Sequence, residues 1–432
     1  MAAGRTAGVA ALSDVAGGPD EAQPIAILRL AAGGDGVGRM PDGRTVFVPR
    51  TAAGDTIVPQ RLRVRKRFAR ARIGRLVEPG PGRVEPRCPH YVRDECGGCQ
   101  LQHVDSDTQR QARASFAGDA LRRLGGLDVT DPPLEPALDE WSYRTKITLH
   151  ASADRRRIGL HPLDRPDDVF DLEWCHITSV ELMELWRAVR PRRRLLPEQF
   201  ERVVLRLDRN GGRHLIVEVP GVTPWPGAAG LGRELASAGI AATLWWRPEG
   251  GAARAVAGSD KAFPATVFEQ VNPAMGDRVR AHAIARLGDP AGLHVWDLYA
   301  GLGETAEALA RLGATVDAVE ADRRAVAHAE ARRSSSRTGI VWHAARVEDV
   351  LREMRVPSRV ITNPPRVGMD ERVTAALAAQ RPDRIVYISC DPATLARDIR
   401  RLGDAYRLAG LHAFDLFPQT AHVESVAILE RQ

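Results

Sequence analysis

The sequence predicts an α/β protein whose carboxyl-terminal domain is a doubly wound, Rossmann-like sheet. Predicted strands and helices alternate from about residue 270 onward, which is typical of a parallel sheet covered by helices. Several short strands near the amino end favour a small β-barrel, and further short strands follow it. The chain also has 432 residues, too many for a single hydrophobic core. We therefore expect a barrel over 23–82, a β-rich middle domain over 83–265 and the α/β domain over 266–432.

The composition is that of a globular protein without a membrane partner. Hydrophobic residues make up 44% of the chain, yet no apolar run approaches the roughly 18 residues that a membrane span requires. Residues 1–22 lack the basic start and apolar core of a signal peptide, so we expect a disordered tail. We further expect a monomer that acts in the cytoplasm. The net charge of +6 favours a polyanionic partner.

The predicted barrel carries a basic face. Ile25–Leu30 and Thr45–Val48 are short apolar strands, and the glycine-rich stretch 33–38 between them predicts turns. Apolar and basic residues then alternate at the start of 57–75, as expected of a strand with one charged face. Such a face suits a phosphate backbone and predicts contact with RNA. The alternative is a solvated edge strand that uses charge to prevent aggregation.

The middle region combines a cysteine-rich segment with short strands. Residues 81–105 show little regular structure, and 106–125 form a predicted helix that we expect to pack on the α/β domain. A second helix is predicted over 179–189. The predicted strands of this region, separated by turn signals, are 145–150, Arg202–Leu207, 214–219 and 242–246.

The five cysteines divide into a group of four and a single residue. Cys88, Cys96 and Cys99 lie close together in the sequence, and Cys175 follows after a long gap. Four thiols suit an iron–sulfur cluster or a tetrahedral zinc site, and both remain open at this point. The spacing differs from the Cys-x3-Cys-x2-Cys of radical S-adenosylmethionine enzymes, which argues against radical chemistry. Cys390 stands alone.

The α/β domain predicts a ligand site at the carboxyl ends of its strands. Its predicted strands are 293–297, Thr315–Val319, 339–343, Arg359–Thr362, Arg384–Ser389 and 425–430. The first leads into a loop in which Gly301 and Gly303 allow a tight turn beside a ligand. Glu320 ends the second strand, where an acid can bind two ribose hydroxyls. The third glycine of a dinucleotide motif is missing, which favours an adenosyl ligand over NAD; a purely structural turn is the other alternative.

Three further features lie at strand ends of the same domain. The two prolines of Asn363-Pro364-Pro365-Arg366 make a stiff loop after the fourth strand. Cys390 follows the next strand and precedes Asp391-Pro392, which would turn the chain and expose the thiol; it is a candidate nucleophile or an inert packing residue. Glu424 begins the last apolar strand, where a buried acid without a role would be costly. A solvent-exposed strand start is the alternative for Glu424.

Together these motifs resemble those of the RNA uracil-5-methyltransferases, and the resemblance extends over nearly the whole chain. The matching segments are Cys88…Cys96-Gly-Gly-Cys99-Gln-Leu-Gln-His103, Cys175, Phe268-Glu-Gln270-Val-Asn272, 297–303, Ser389-Cys390-Asp391-Pro392-Ala-Thr-Leu-Ala-Arg-Asp398 and His422-Val-Glu424-Ser-Val. This family makes 5-methyluridine in ribosomal or transfer RNA with S-adenosylmethionine. Several uncommon motifs in the right order make the resemblance highly specific.

The resemblance implies a site and a chemistry. Cys390 is implied as the nucleophile and Glu424 as the base that removes the C5 proton. The implied contacts to S-adenosylmethionine are Gln270, Tyr299, Gly301, Glu304, Glu320 and Asn363. The implied ligands of a 4Fe-4S cluster are Cys88, Cys96, Cys99 and Cys175. The barrel is implied to be an RNA-binding TRAM domain.

The chain departs from the family pattern in two places. Asn363 stands where the family usually has Asp, and an amide accepts a hydrogen bond but brings no negative charge. Seven residues separate Cys88 from Cys96, where five are common. The barrel and the cysteine group favour 23S ribosomal RNA as the substrate, with transfer RNA as the alternative. A non-catalytic RNA-binding or ribosome-assembly factor is a further alternative, against which the presence of Cys390 and Glu424 argues.

Overall fold

The computed structural model describes residues 23–258, 267–331 and 339–432. The expected disordered tail over 1–22 and the expected domain boundary at 265–266 lie outside these residues. The described chain divides into two compact units. The first runs up to Arg87 and includes Cys99–Ala112 and Gln419–Ala421, and the second comprises Cys88–Gly98, Arg113–Pro418 and His422–Gln432.

The first unit contains a closed barrel of five strands. These strands are β1 (Ile25–Leu30), β2 (Gly36–Arg39), β3 (Thr45–Val48), β4 (Thr56–Val64) and β5 (Phe68–Glu78). They are hydrogen-bonded in the order β1-β2-β3-β5-β4. Alternate residues of β1 point inward, so that Ile25 and Ile27 pack with Val46, Val48 and Ile57. The small barrel predicted near the amino end is therefore confirmed.

Two parts of the barrel refine the sequence prediction. The basic stretch 57–75 spans both β4 and β5, which pair antiparallel. Its exposed basic side chains are Arg61, Arg63, Arg65, Lys66, Arg67, Arg70 and Arg75. Residues 36–38, predicted as part of a turn-rich stretch, lie in strand β2. Glycine is needed there because a Cβ at Gly36 would lie 1.9 Å from the Thr51 hydroxyl and one at Gly38 would lie 2.7 Å from the Ala26 carbonyl oxygen.

Buried polar side chains fasten the loops of the first unit. Asp55, which is fully buried, accepts a hydrogen bond of 2.9 Å from Arg83 Nε and one of 2.8 Å from the Gly80 N–H. Gln109 lies on helix α2 (Ser106–Arg123), which follows the short helix α1 (Pro89–Arg93). The Gln109 amide donates to the Leu101 carbonyl and to Gln419 Oε1, both at 3.0 Å. These bonds satisfy polar groups that burial would otherwise leave without partners.

The second unit contains two large sheets, and the short strand β6 (Leu134–Glu135) belongs to the later one. The strands of the earlier sheet are β7 (Lys146–Ala151), β8 (Ile158–Leu160), β9 (Phe170–Asp171), β10 (Arg202–Leu207), β11 (Arg213–Val219), β12 (Thr243–Pro248) and β13 (Arg254–Ala257). Their order is β13-β12-β11-β10-β7-β8-β9. Helices α3 (Val180–Val189) and α4 (Ala228–Ser237) pack on this sheet, and their apolar faces share one core in which Trp186 and Leu231 are fully buried.

The later sheet belongs to the α/β domain. Its remaining strands are β14 (His294–Leu298), β15 (Thr315–Val319), β16 (Ile340–His343), β17 (Arg359–Thr362), β18 (Arg384–Ser389), β19 (Tyr406–Phe414) and β20 (Glu424–Arg431). The order is β16-β15-β14-β17-β18-β20-β19-β6. Strands β14 to β18 pair in parallel, and β20 lies antiparallel between β18 and β19.

Helices connect most strands of this later sheet. They are α5 (Pro273–Leu287), α6 (Glu304–Arg311), α7 (Arg323–Ala331), α8 (Val347–Val350), α9 (Glu371–Gln380) and α10 (Pro392–Leu402). Two separate hydrophobic cores contain the strands, one including Trp296 and Tyr387 and the other Val295 and Val386. Neighbouring strand residues thus point into opposite cores, as in a sheet with both faces covered. Within the described residues no helix is long and apolar enough to cross a membrane.

Candidate active site

A cavity of about 1130 Å³ opens at the carboxyl ends of the parallel strands β14, β15, β17 and β18. This is the edge at which a ligand site was expected. The structure brings all eight predicted catalytic and cofactor-binding residues into its wall: Gln270, Tyr299, Gly301, Glu304, Glu320, Asn363, Cys390 and Glu424. Their shared location agrees with the prediction of a single site, while the role of each residue stays a prediction.

The loop after β14 forms the floor of the cavity through unusual backbone geometry. Tyr299, Gly301 and Gly303 all have positive φ, at 62°, 57° and 79°. At Gly303 a Cβ would lie 2.5 Å from the ring of Trp342, so the position also excludes a side chain sterically. The loop then enters α6 at Glu304. Two glycines two positions apart therefore occur in this turn because both positions have positive φ and because Gly303 has no room for a side chain.

Glu320 is held rigidly at the end of β15. Its Oε2 accepts a hydrogen bond of 2.9 Å from the N–H of Gly301, and its Oε1 accepts one of 2.8 Å from the N–H of Asp322. Each oxygen retains a lone pair after these bonds. The carboxylate is thus pre-oriented beside the loop and can accept further hydrogen bonds from a ligand in the cavity.

Asp297 is a candidate site residue that the sequence analysis did not single out. It lies on β14, is 2% exposed and lines the cavity. Burial raises the pKa of its carboxyl group to about 7, and the negative charge of Glu320 adds to the rise. Among the described residues, Asp297 Oδ2 has no hydrogen-bond partner. The available signal was an acid within the otherwise apolar strand His294-Val-Trp-Asp-Leu298.

Two arginines engage the carboxylate of Glu304. Arg280 on α5 forms one ion pair with it, and Arg209 from the β10–β11 turn forms another at 2.9 Å. The side chain of Glu304 therefore joins the earlier sheet to the start of α6. The segment that contains Gln270 is held similarly, because Arg206 on β10 donates to the Val267 carbonyl at 2.6 Å and pairs with Glu269.

Strand pairing brings Cys390 and Glu424 to the same end of two neighbouring strands. Strands β18 and β20 pair antiparallel with a continuous register that ends at Ser389↔Ser425. Cys390 is the next residue of one chain segment and Glu424 the preceding residue of the other. In an antiparallel pair such positions lie beside each other at the ends of the two strands. Both side chains line the cavity, although 33 residues separate them in the sequence.

Burial makes both groups of this pair hold their protons. The pKa of Glu424 is raised to about 8 by burial, and the positive charge of Arg366 opposes the rise. The pKa of the Cys390 thiol is also raised, first by burial and then by the negative charge of Glu424. Arg366 opposes this shift as well. Arg366 is exposed and lines the cavity on the loop that begins at Asn363.

The four predicted metal ligands, Cys88, Cys96, Cys99 and Cys175, do not form a recognisable metal-binding group among the described residues. Burial raises the pKa of Cys88, which receives hydrogen bonds from the backbone of Tyr91 and lies close enough to Cys175 for their charges to interact. Cys96 Sγ accepts a bond of 3.4 Å from the Gly98 N–H. Cys99 is buried and begins a segment of the first unit. Within the described chain, no three Cys, His, Asp or Glu side chains form a group that could hold a metal ion.

The buried Glu424 carboxyl predicts that Glu424→Gln stabilises the protein increasingly as pH rises. The folded protein retains this proton up to about pH 8, whereas an unfolded glutamate loses it near pH 4.5. Folding therefore becomes less favourable for the wild type across this interval, by up to ~1.4 kcal/mol per pH unit. The neutral glutamine of the variant would carry no such penalty. Thermal unfolding of both proteins should show a difference that grows from about pH 5 to about pH 8.

Glu353→Gln serves as the matched control, because Glu353 is exposed. The thermal unfolding midpoint of the Glu353→Gln variant should differ from that of the wild type by the same small amount at every pH. A constant offset for Glu424→Gln over the same range would contradict the raised pKa.

Comparisons with known proteins identify the family of this chain. The model of the tRNA (uracil-5-)-methyltransferase family matches residues 342–432, which include Cys390 and Glu424. An uncharacterized RNA methyltransferase of Gloeobacter violaceus is 33% identical over 94% of this chain and 96% of that protein. The 23S rRNA (uracil(1939)-C(5))-methyltransferase RlmD of Aromatoleum aromaticum is 31% identical over 94% of this chain and 100% of that protein.

A solved structure supports the same fold. The Pyrococcus abyssi tRNA (uracil-54, C5)-methyltransferase, crystallised with S-adenosyl-L-homocysteine, superimposes with a TM-score of 0.68. It is 21% identical, and the match covers 94% of this chain and 99% of that one. Given the identity to curated relatives over nearly its full length, the chain belongs to the RNA uracil-5-methyltransferases, a family of S-adenosylmethionine-dependent enzymes.

Proposed function

We propose that this protein methylates C5 of a specific uridine in 23S ribosomal RNA through a covalent bond between Cys390 Sγ and uracil C6. The observation that carries this proposal is the β18–β20 register, which brings Cys390 and Glu424 to the same end of two neighbouring strands, where both line one cavity. A nucleophile and a base in one site are the two groups that the reaction requires.

The cavity suits S-adenosylmethionine as the methyl donor. Asp297 Oδ2, which has no hydrogen-bond partner in the described part of the chain, and the oriented Glu320 carboxylate supply acceptors for the amino and hydroxyl groups of this ligand. Gln270, Tyr299, Gly301, Glu304 and Asn363 complete the proposed set. The neutral amide of Asn363 offers a hydrogen bond without charge. When bound, S-adenosylmethionine supplies an electrophilic methyl group.

In the proposed mechanism Cys390 first activates the uracil. The Cys390 thiolate forms a bond to C6 and the C5=C6 double bond breaks, so that its electron pair makes C5 nucleophilic. Once C5 carries the methyl group, the Glu424 carboxylate takes the C5 proton. The C5=C6 bond then forms again and the sulfur leaves as thiolate. The uridine has to leave its stack to reach the cavity wall, which predicts base flipping or a refolded loop.

Arg366 gives the pair a counter-charge. Only the ionised forms of Cys390 and Glu424 can act, yet burial disfavours both. The guanidinium lowers the pKa of each group towards neutrality and so increases the active fraction. We therefore propose that Arg366 tunes the two groups that perform the chemistry.

Cys390→Ala should lower methylation by roughly 1000-fold or more, because the activating bond cannot form. It should also abolish the covalent complex that 5-fluorouridine RNA forms with the wild type, since fluorine at C5 blocks the final proton removal. Methyl incorporation and denaturing gel electrophoresis measure the two effects. Unchanged binding of S-adenosylmethionine would show that the variant is folded. Full activity in this variant would refute the proposal.

Ribosomal RNA is the proposed substrate because of the curated relatives named for it and the basic barrel. The exposed arginines of β4 and β5 form a surface suited to a phosphate backbone. We propose a cytoplasmic monomer.

Mapping 5-methyluridine in cells with and without the gene should show loss of one or two sites in 23S RNA. Loss confined to transfer RNA would instead support the alternative substrate.

We further propose that Cys88, Cys96, Cys99 and Cys175 hold a 4Fe-4S cluster, with zinc as the alternative. Support comes from the burial of three of these thiols and from the backbone N–H groups that donate to Cys88 and Cys96. Hydrogen bonds of this kind stabilise thiolate ligands. The proposed role of the cluster is to order the middle region and its RNA contacts.

Cys175→Ser should remove the visible absorption and most of the iron from protein purified without oxygen, and it should weaken RNA binding more than the chemical step. Cys390→Ala is the control, because that thiol lies outside the proposed ligand set and its loss should leave colour and iron unchanged. A colourless wild-type protein that contains zinc would contradict the cluster.

A further inference from the structure

Asp398 on α10 is a charged residue that the proposed chemistry does not use. Its carboxylate is fully buried. Oδ2 accepts hydrogen bonds from the Met369 N–H at 2.7 Å and from the Tyr387 hydroxyl at 2.9 Å. Oδ1 accepts two from Arg397, at 2.9 and 2.7 Å, and a longer one from Arg401 at 3.4 Å. A carboxylate that is buried at such cost and fully bonded fixes the position of whatever it binds.

What Asp398 binds is the end of the loop that begins at Asn363. Besides the Met369 N–H, the Arg397 guanidinium donates to the Val367 carbonyl at 2.8 Å. The loop comes so close that a Cβ at Gly368 would lie 2.4 Å from Arg397 Nη2 and 2.5 Å from Asp398 Oδ2. Gly368 also has a positive φ of 76°. Asp398 and Arg397 together thus hold residues 367–369 through hydrogen bonds to the Met369 N–H and the Val367 carbonyl.

The same loop presents Arg366 to the catalytic pair. Arg366 precedes the held residues directly and interacts electrostatically with both Cys390 and Glu424. The other charged group facing Cys390 is Asp391, at the start of α10, and its negative charge acts against ionisation of the thiol. Arg366 is therefore a positive charge that lowers the pKa of the thiol and favours the thiolate. The position of this charge depends on a loop whose far end is bonded to Asp398.

We propose that Asp398, with Arg397, is a positioning residue that fixes the loop 363–369 so that the Arg366 guanidinium faces Cys390 and Glu424. This inference rests on the proposed function of those two residues. It adds that Asp398 and Arg397, on helix α10, act on the Cys390 thiol indirectly, through the loop 363–369.

The test measures ionisation of the Cys390 thiol without RNA. Free protein is alkylated with iodoacetamide at a series of pH values, and the tryptic peptide 385–397, which contains no other cysteine, is quantified by mass spectrometry. Arg366→Gln should move the midpoint of the alkylation profile to higher pH, because it removes the positive charge. Asp398→Asn and Arg397→Gln should move it in the same direction; the second of these variants yields the longer peptide 385–400. Arg400→Gln is the matched control, since Arg400 is exposed on the same helix, and it should leave the midpoint unchanged.

A double variant separates positioning from a general loss of structure. If Asp398 acts through Arg366, Asp398→Asn should add little to the shift already caused by Arg366→Gln. A folded Asp398→Asn protein with the wild-type midpoint would overturn the proposal, and so would a fully additive shift in the double variant. Should Asp398→Asn fail to fold, Arg397→Gln decides the question by the same two criteria. The profile needs no methyl transfer, so its outcome is independent of whether RNA methylation is detected.

Discussion

The register between strands β18 and β20 is the constraint on which the rest of the site depends. Six consecutive residue pairs, from Arg384↔Glu430 to Ser389↔Ser425, fix it, and they bury the strands against both hydrophobic cores. Because side chains alternate along a strand, a slip of one residue would turn Glu424 away from Cys390 and place apolar residues in the cavity. The antiparallel strand β20 pairs with β18 beside the parallel strands. It thereby brings Glu424, from near the end of the chain, to the carboxyl edge of the sheet where the loop after β14 lies.

This arrangement places several carboxyl groups in the wall of the cavity, among them Asp297, Glu320 and Glu424. Asp297 and Glu424 both have raised pKa values because they are almost completely removed from water. Burying acids reduces stability, so the rest of the site has to hold them in place. The Gly301 and Asp322 N–H groups orient Glu320, while Arg366 faces Cys390 and Glu424. Bonds from Asp398 and Arg397 fasten the loop that carries Arg366. The site thus combines rigid backbone contacts with the exposed cationic side chain of Arg366, whose loop is anchored by its neighbours.

Much of this architecture follows from local patterns, and the remainder depends on pairing over long distances. Apolar strands such as Thr315–Val319 and Arg384–Ser389 are bounded clearly enough for the sequence to predict both ends. The glycine turn is equally local, because its two glycines adopt positive φ. By contrast, β19 was not predicted, since Gly410 and His412 interrupt its apolar pattern and its stability comes from pairing with β20 and β6. Asp297 and Asp398 were missed as individual site residues because their significance lies in burial and in partners far along the chain. The four cysteines were grouped from their positions in the sequence, whereas a 4Fe-4S cluster bound to them is implied by the resemblance and stays a prediction.

The most direct measurement of the central claim is the mass of the species that accumulates when Glu424→Gln is mixed with unmodified substrate RNA and S-adenosylmethionine. A base that acts after methyl transfer should, when removed, leave the RNA attached to the enzyme. The account predicts a covalent complex in which the peptide 385–397 carries a uridine that has already gained its methyl group, with the bond at Cys390. Release of methylated RNA at the wild-type rate, or attachment through any other residue, would contradict it.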